Sequence, residues 1–148
     1  MPIPPLDANG LLPTGVHDCT LEEIKARFGT FQDSDRRPRL FAKLDLFLTE
    51  ATATRVIQCV YVDGSFVTVK PEPNDIDLIV VVAPDHDFGA DLSAREYSVL
   101  SKRRVHDRFG FDLLVARAGS DHHRRYVWFF QQIRFEPGRA KSILRIKL

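Results

Sequence analysis

Residues 55–83 read RVIQCVYVDGSFVTVKPEPNDIDLIVVVA and contain two apolar segments joined by a loop. The first segment, residues 55–62, is rich in β-branched side chains, and the second, residues 75–83, is almost continuously apolar. β-Branched residues favour strands, and an unbroken apolar run is typical of a strand that is covered on both faces. The stretch therefore predicts two strands of a buried sheet, with Gly64 and Ser65 directly after the first.

Three aspartates interrupt the apolar strands of this region. Asp75 and Asp77 are two positions apart on the second predicted strand, so their side chains leave the same face. Asp112 lies in another short apolar segment, residues 111–116, where packing does not explain an acid. Neighbouring carboxylates repel each other inside a fold unless a cation neutralises them, and Mg²⁺, or Mn²⁺ in its place, prefers such oxygen ligands. We expect the three acids to form one site for two divalent metal ions.

Gly64 and Ser65 form a phosphate-binding turn in this prediction. Glycine lets the backbone turn and approach a ligand closely, and exposed amides at the start of a short helix attract phosphate oxygens. Ser65 adds a hydroxyl donor, and Lys70 could reach the terminal phosphates of a nucleotide, although a solvated loop lysine is equally compatible. A phosphate cradle and a set of carboxylates meet most of the needs of nucleotidyl transfer, which depends on positioning and charge neutralisation.

The order of these motifs resembles the polymerase β-like nucleotidyltransferase superfamily, in which Gly-Ser precedes an Asp-x-Asp strand and a third Asp comes from a later strand. The matching residues, within about 55–117, are Gly64-Ser65, then Asp75-Ile76-Asp77-Leu78 after nine residues, and Asp112 in Phe-Asp-Leu-Leu-Val. The resemblance implies that Asp75 and Asp77 bind the metal and that Asp112 helps to activate the attacking hydroxyl. Leu12-Pro13-Thr14-Gly15 and the closing residues 141–148 look like a group of short prokaryotic proteins of unassigned function with this core.

Two features depart from the pattern of that superfamily. Pro71 and Pro73 require a helix after Gly-Ser to end by about Lys70. We also expect no room in this chain for the extra helical domain with which many members hold the base and the acceptor. The identities of the nucleotide and the acceptor are therefore left open.

The leading functional hypothesis is a magnesium-dependent nucleotidyltransferase that moves a nucleoside monophosphate from an NTP to a hydroxyl of a protein or RNA. One alternative is a catalytically silent domain with the same fold that binds a partner, such as one component of a toxin–antitoxin pair. A third is an RNA-binding module that relies on the basic end of the chain. The three acids favour the enzyme, because a silent domain has no reason to keep carboxylates that repel each other.

A length of 148 residues with 44% hydrophobic residues suits one compact domain. We expect a leader over residues 1–19 that lies extended on the surface, the motif core over 55–117, and a basic helix and edge strand over 120–148. The longest apolar run is too short to span a bilayer, which predicts a cytoplasmic protein that does not contact the membrane. Cys19 and Cys59 are expected to be reduced, partly buried thiols.

Capping signals and apolar periodicity predict the other elements. Thr20-Leu21-Glu22-Glu23 and Ser93-Ala94-Arg95-Glu96 have the pattern of capping boxes, and Ser120 can cap a further helix. The predicted helices cover residues 21–28, 35–52, 94–109 and 121–133, and the predicted last strand covers residues 142–148. This order indicates an α/β or α+β fold, with a nucleotidyltransferase-type mixed sheet packed against helices.

Charge is unevenly distributed along the chain. Residues 1–94 contain 8 Lys and Arg against 15 Asp and Glu, whereas residues 95–148 contain 13 against 5. An acidic centre beside a basic flank suits a metal site that handles a polyanion, although mutual neutralisation across the fold is an equal alternative. We expect a basic face beside the site that receives an anionic acceptor, with these candidates: Arg95, Arg103, Arg104, Arg124, Arg125, Arg139 and Lys141.

Structural roles are favoured for the aromatic and histidine residues near the C-terminus. Aromatic side chains at helical spacing, Trp128, Phe129 and Phe130, are typical of a core, with base stacking as the alternative. The pair His106-Asp107 suits a helix C-terminus, where a cationic histidine interacts well with the helix dipole. Residues 122–125, His-His-Arg-Arg, are expected to be solvated, with contact to an anionic acceptor as the alternative.

Overall fold

A computed structural model of the chain describes residues 3–6, 8, 12, 15–29, 35–68, 73, 76–88, 93–132 and 142–148. Two predicted site residues, Asp75 and Lys70, lie outside the described residues. The same is true of Arg139 and Lys141 in the predicted basic face, and of the end of the helix predicted over 121–133. The predictions made for these residues stay predictions.

Five strands of the described chain form one mixed sheet, in the order β1-β5-β2-β3-β4. The strands are β1 Gly15–Asp18, β2 Ile57–Asp63, β3 Asp77–Val82, β4 Asp112–Arg117 and β5 Ser142–Lys147. Strand β2 runs antiparallel to its neighbours β3 and β5, whereas β1 is parallel to β5 and β3 is parallel to β4. The predicted α+β fold with a mixed sheet in a single domain is confirmed.

The helices begin and end close to the predicted residues. They are α1 Leu21–Ile24, which continues as a π-helical turn Lys25–Gly29, then α2 Arg36–Thr54, α3 Ala94–Leu100, α4 Lys102–Phe109 and α5 Asp121–Phe130. The first predicted capping box forms: the Glu23 amide donates to the Thr20 hydroxyl at 3.2 Å, and the Thr20 amide donates to the Glu23 carboxylate at 3.1 Å. Ser120 caps α5 by accepting from the His123 amide at 3.1 Å.

The two faces of the sheet pack against different helices. Alternation along β3 sends Leu78 and Val80 into a main core shared with α2, α3 and α4, and sends Ile79 and Val81 into a smaller core. Side chains of α5 pack against that smaller core. The two sides are called the main-core face and the α5 face, and α4 and α5 therefore lie on opposite sides of the sheet.

The two ends of the chain differ from the prediction. In the described part of the leader, several residues belong to the fold rather than lying over its surface: Gly15–Asp18 is β1, and both Ile3 and Leu12 are buried in the main core. The predicted edge strand is β5, which lies inside the sheet between β1 and β2. The prediction of an edge strand was wrong because β1, which comes from the leader, pairs with β5 and takes the edge position. The prolines of the leader and the short length of β1 make this strand hard to recognise in the sequence.

The helix predicted over 94–109 is divided at Ser101. The backbone of Ser101 is extended, with φ −86° and ψ 117°, and its hydroxyl accepts from the Arg104 amide at 3.3 Å. Serine competes in this way with helix continuation and instead begins a new helix. The second of these helices ends at Phe109, as predicted, and Gly110 follows it with φ 76° in the left-handed region.

The cysteines agree with the prediction of free thiols. Cys19 is buried and Cys59 is half-buried, and neither forms a disulfide. Burial raises the pKa of the Cys19 thiol to about 12, and burial also raises the pKa of Cys59. Both thiols are therefore protonated near neutral pH, which suits packing rather than nucleophilic chemistry.

Candidate functional site

Three aspartates lie side by side at one end of the central strands. Asp63 ends β2 opposite Asp77, the first residue of β3, and Asp77 is in register with Asp112, the first residue of β4. Residues paired across neighbouring strands project to the same face. Tyr61 and Ile79, each two positions from a member of this set, belong to the smaller core, so the three carboxylates project from the α5 face. We call Asp63, Asp77 and Asp112 the aspartate row.

Exposure increases along the aspartate row. Asp63 is buried, with 6% of its surface exposed, Asp77 is half-buried, and Asp112 is exposed. The predicted neighbours Asp77 and Asp112 are thus brought together on one face. Asp63 was missed by sequence reasoning, although a signal was present: the end of one antiparallel strand lies opposite the start of the next, and Asp63 directly precedes Gly64.

The donor atoms of the aspartate row suit a hard divalent cation such as Mg²⁺. Among the residues that the structure describes, no group of three or more His, Cys, Asp or Glu side chains forms a ready metal site. The predicted ligand Asp75 lies outside those residues. The observation that supports a cation is the juxtaposition itself, because three carboxylates on one face repel each other and a bound cation reduces that repulsion.

The turn after β2 has the geometry that the Gly-Ser motif predicts. Gly64 has φ 96° and ψ 179°, a conformation that residues with a Cβ rarely adopt. Ser65–Val67 forms one turn of 3₁₀-helix directly after it. The Ser65 carbonyl accepts from the Thr68 amide at 3.2 Å and from the Thr68 hydroxyl at 2.7 Å, which closes the turn.

Arg37 holds this turn from inside the protein. The side chain of Arg37 reaches from the first turn of α2, and the residue is wholly buried. Its guanidinium donates to the Phe66 carbonyl at 2.5 Å, to the Thr68 carbonyl at 2.6 Å and to the Phe28 carbonyl at 3.3 Å. The guanidinium also lies 5.5 Å from the ring centre of Phe66 and 5.9 Å from that of Phe28, within the range of cation–π attraction.

Burial does not remove the charge of Arg37. It lowers the pKa of the guanidinium to about 10, so the side chain stays protonated near neutral pH. An arginine at the start of an amphipathic helix is usually interpreted as solvated, which is why sequence reasoning missed it. The structure therefore puts a fixed positive charge and rigid hydrogen bonds directly behind the predicted phosphate-binding turn.

His123 on α5 is bonded to the sheet in one tautomer. Its Nδ1 accepts from the Gly119 amide at 3.0 Å, so in the neutral ring Nε2 carries the hydrogen and donates to the Tyr61 hydroxyl at 3.0 Å. Burial, with nearby Arg145 and Arg124, lowers the pKa of His123. The expectation of a solvated residue is wrong for His123, and the ring is neutral at pH 7.

The edge strand β1 and its neighbour β5 are joined on the same face by an ion pair. Arg145 of β5 donates to both oxygens of Asp18 on β1, at 2.5 and 2.9 Å. These hydrogen bonds lower the pKa of Asp18. Arg145 is in register with Tyr61, so the ion pair lies next to the Tyr61–His123 contact.

The aromatic residues at the end of α5 do not form a core. Trp128 and Phe129 are each 62% exposed, so the prediction of burial was wrong for these two side chains. Tyr126, Val127 and Phe130 are the residues of this segment that pack against the smaller core. At helical spacing, Trp128 and Phe129 fall outside the stripe that faces the sheet.

The predicted single basic face does not form among the described candidates. Arg103 and Arg104 are on α4, whereas Arg124 and Arg125 are on α5, across the sheet. Part of this charge is compensated locally, since Arg103 lies 3.8 Å from Asp107, and Arg124 pairs with Asp121. The surplus of basic residues is therefore distributed over two sides of the protein.

The chain matches the model of one protein family over almost its whole length. A family model described as a family of unknown function matches residues 4–147. The chain belongs to DUF6932. No curated protein and no solved structure matches it. Membership in DUF6932 does not name an activity, and the functional argument therefore rests on the site.

The match to DUF6932 includes every element of the candidate site. The aspartate row lies on β2, β3 and β4, the Gly64 turn directly follows β2, and Arg37 of α2 is hydrogen-bonded to that turn. Carboxylates can bind a cation or accept a proton, and the turn can receive an anion. In the described part of this DUF6932 chain, no helix is both long and apolar enough to cross a membrane.

Proposed function

We propose that this chain is a magnesium-dependent nucleotidyltransferase, which moves a nucleoside monophosphate from an NTP to a hydroxyl of a protein or RNA. The observation that carries the proposal is the aspartate row beside the Gly64 turn. Asp77 is in register with an acid on each neighbouring strand, and the turn begins immediately after Asp63. The acids that would bind the metal and the turn that would hold the phosphates are thus adjacent, which supports transfer from a triphosphate.

The carboxylates of Asp77 and Asp112, with Asp75 as predicted from the sequence, would hold Mg²⁺. The bound ion would neutralise the charge that develops on the phosphates. Asp63 adds a further carboxylate beside Asp77 and forms the buried end of the row. Metal binding in this proposal depends on the aspartate row projecting from one face of the sheet.

The turn of Gly64 and Ser65 would hold the triphosphate. Without a Cβ, Gly64 would let phosphate oxygens approach the backbone, and a turn of 3₁₀-helix follows it directly. Arg37 keeps this turn in place through the Phe66 and Thr68 carbonyls. Lys70, as predicted from the sequence, would contact the terminal phosphates.

The reaction would proceed by in-line displacement at the α-phosphorus. The oxygen of the acceptor hydroxyl forms a bond to the α-phosphorus, and the bond from that phosphorus to the oxygen bridging to the β-phosphorus breaks. Pyrophosphate leaves with the electron pair. Asp112, the exposed member of the aspartate row, accepts the hydroxyl proton, because its side chain is open to an incoming acceptor.

Labelling with α-³²P nucleotides tests this proposal. The protein is incubated with each NTP and Mg²⁺, with and without added RNA, and label is sought on the protein and on the RNA. We expect transfer from at least one NTP, and we expect Asp77→Asn to abolish it. Asp107→Asn is the matched control, since Asp107 is exposed on α4 across the sheet. Absence of transfer and of Mg²⁺-NTP binding would overturn the proposal, and binding without transfer would support a catalytically silent domain.

A further inference from the structure

A pocket of about 300 Å³ lies beside α5 over the central strands. Its lining residues are Tyr61, His123, Arg124, Val127, Trp128 and Gln131. Buried Tyr61 forms the floor, and Trp128, 62% exposed, forms an open aromatic wall. Trp128 is not among the residues that pack against either hydrophobic core of the described chain, and its side chain lines the pocket, where it can contact a ligand.

The pocket is on the same face of the sheet as the aspartate row. Tyr61 and Asp63 are two residues apart on β2, about 7 Å along the strand, and both project to the α5 face. This separation is comparable to the span of a ribose and one phosphate. A nucleotide whose phosphates lie at the Gly64 turn can therefore extend its base toward the pocket.

The chemistry of the pocket suits an uncharged aromatic ring. Trp128 offers an indole face for stacking and Val127 an apolar contact. His123 is neutral, and Gln131 has an amide that can both donate and accept hydrogen bonds. Arg124 donates to the Gly119 carbonyl and pairs with Asp121, so the charge in the lining is already compensated. A base fits this environment better than a phosphate does.

We propose that this pocket binds the nucleobase of the donor nucleotide, with Trp128 stacked on the base, while Gly64 and Ser65 hold the phosphates. The inference rests on the proposed function and adds the part that positions the base. Recognition of the nucleotide would then come from the same sheet face that supplies the carboxylates.

The fluorescence of Trp128 tests the proposal directly, because the chain contains one tryptophan. We titrate the protein with each nucleoside, with Mg²⁺-tripolyphosphate and with each Mg²⁺-NTP, and correct for absorption by the base with free N-acetyltryptophanamide. We expect saturable quenching by at least one nucleoside and by its NTP. We expect tripolyphosphate to bind by calorimetry without quenching, because it lacks a base.

Calorimetry on variants separates the base site from the phosphate site. Trp128→Ala should weaken binding of the preferred Mg²⁺-NTP at least about tenfold, the loss expected for one stacking contact, and should leave tripolyphosphate affinity unchanged. Phe129→Ala is the matched control, since Phe129 is equally exposed on the same helix but does not line the pocket. Circular dichroism checks the fold, and Trp128→Phe should restore part of the affinity.

The outcomes distinguish this inference from the proposed function. Tripolyphosphate binding, with equal NTP affinity in the wild type and Trp128→Ala, overturns the base pocket and leaves the proposed function standing. Nucleoside binding without tripolyphosphate binding supports the pocket and contradicts the phosphate-binding turn. Failure of all three ligands to bind overturns both.

Discussion

Gly64 holds a backbone conformation that is strained for any residue with a Cβ, at φ 96° and ψ 179°. We expect Gly64→Val to cost about 1–3 kcal/mol of stability and to abolish triphosphate binding, because the β-branched side chain fills the space that phosphate oxygens need. Calorimetric titration with Mg²⁺-tripolyphosphate measures the effect on binding, and urea unfolding measures stability.

Gly110→Ala is the control for backbone strain at Gly64. Gly110 also has a positive φ, 76°, but ends α4, and an added Cβ there meets no atom within 4 Å. This control should lose stability and keep its affinity for triphosphate. Unchanged affinity in a folded Gly64→Val protein would exclude the turn as the phosphate site.

Arg37 is a second single residue with a testable role in the same turn. Arg37→Met should cost at least about 3 kcal/mol, because buried carbonyls lose a charged donor at about 1–3 kcal/mol each. Arg37→Lys keeps the charge but not the planar fork, and we expect it to fold with weaker triphosphate binding. Urea unfolding and calorimetry measure both effects, with exposed Arg36→Met as the control. Wild-type affinity in Arg37→Lys would limit Arg37 to a role in stability.

A local sequence pattern can be recognised from the sequence alone, whereas the burial of a side chain often depends on distant residues. Asp77 and Asp112 could be predicted because an acid inside an apolar strand contradicts its surroundings. Arg37 could not, because its burial depends on contacts with the Phe66 and Thr68 carbonyls, about 30 positions away. Asp63 is intermediate between these two cases. Its position at the end of a strand could be seen in the sequence, but its pairing with Asp77 could be known only from the strand register.

At the scale of elements, α5 is bonded to the sheet by a neutral histidine. Burial lowers the pKa of His123 in the folded state below its usual value of about 6.5. The unfolded chain therefore binds more protons below this value, so stability falls as the pH decreases through about 6.5 toward the folded pKa. Charging the ring also ends its role as acceptor from the Gly119 amide.

Replacement of His123 tests this pH dependence. His123→Asn should flatten the decrease of the melting temperature between about pH 7 and pH 5, and it should lower the melting temperature at pH 7, where the Gly119 and Tyr61 contacts are lost. Exposed His122→Asn is the control and should keep the wild-type slope. A His123→Asn slope equal to that of the wild type would contradict a buried neutral ring.

The ends of the helices could be predicted from local capping patterns more accurately than the packing of the helices could be predicted. Capping by Thr20 and Ser120 was predictable because it involves residues three positions apart. The division at Ser101 was not predicted, since a serine in the middle of a helical pattern is compatible with either continuation or a new cap. The exposure of Trp128 depends on which stripe of α5 meets the sheet, and this is a tertiary property.

At the scale of the whole molecule, the first residues of the chain complete both the sheet and the core. Arg27 donates to the Ile3 carbonyl at 2.8 Å, and Leu12 is 2% exposed in the main core. We expect Leu12→Ala to destabilise the protein by about 2–5 kcal/mol, as measured by urea unfolding. Leu46→Ala, at a leucine that is 47% exposed, should cost much less. If both substitutions had equally small effects on stability, the burial of Leu12 in the main core would be contradicted.

The order β1-β5-β2 could not be predicted because it pairs the two ends of the chain. Local patterns indicate that a segment is a strand, but they do not indicate its neighbour. The pairing of β2 with β3 was within reach, since the two strands follow one another along the chain. The aspartate row was predicted only in part, since sequence reasoning named Asp77 and Asp112 but not Asp63, and the row draws one acid from each of three adjacent strands.

Repulsion among acids on three adjacent strands lowers the stability of the fold, and a bound cation would reduce that repulsion. Asp77 lies between two other carboxylates, so Asp77→Asn should keep the fold and leave the metal-free protein equally stable or slightly more stable. Mg²⁺ should raise the melting temperature of the wild type by mass action and should not raise that of Asp77→Asn. The control Asp107→Asn should respond to Mg²⁺ like the wild type. A wild-type melting temperature that Mg²⁺ does not change would contradict metal binding by the aspartate row.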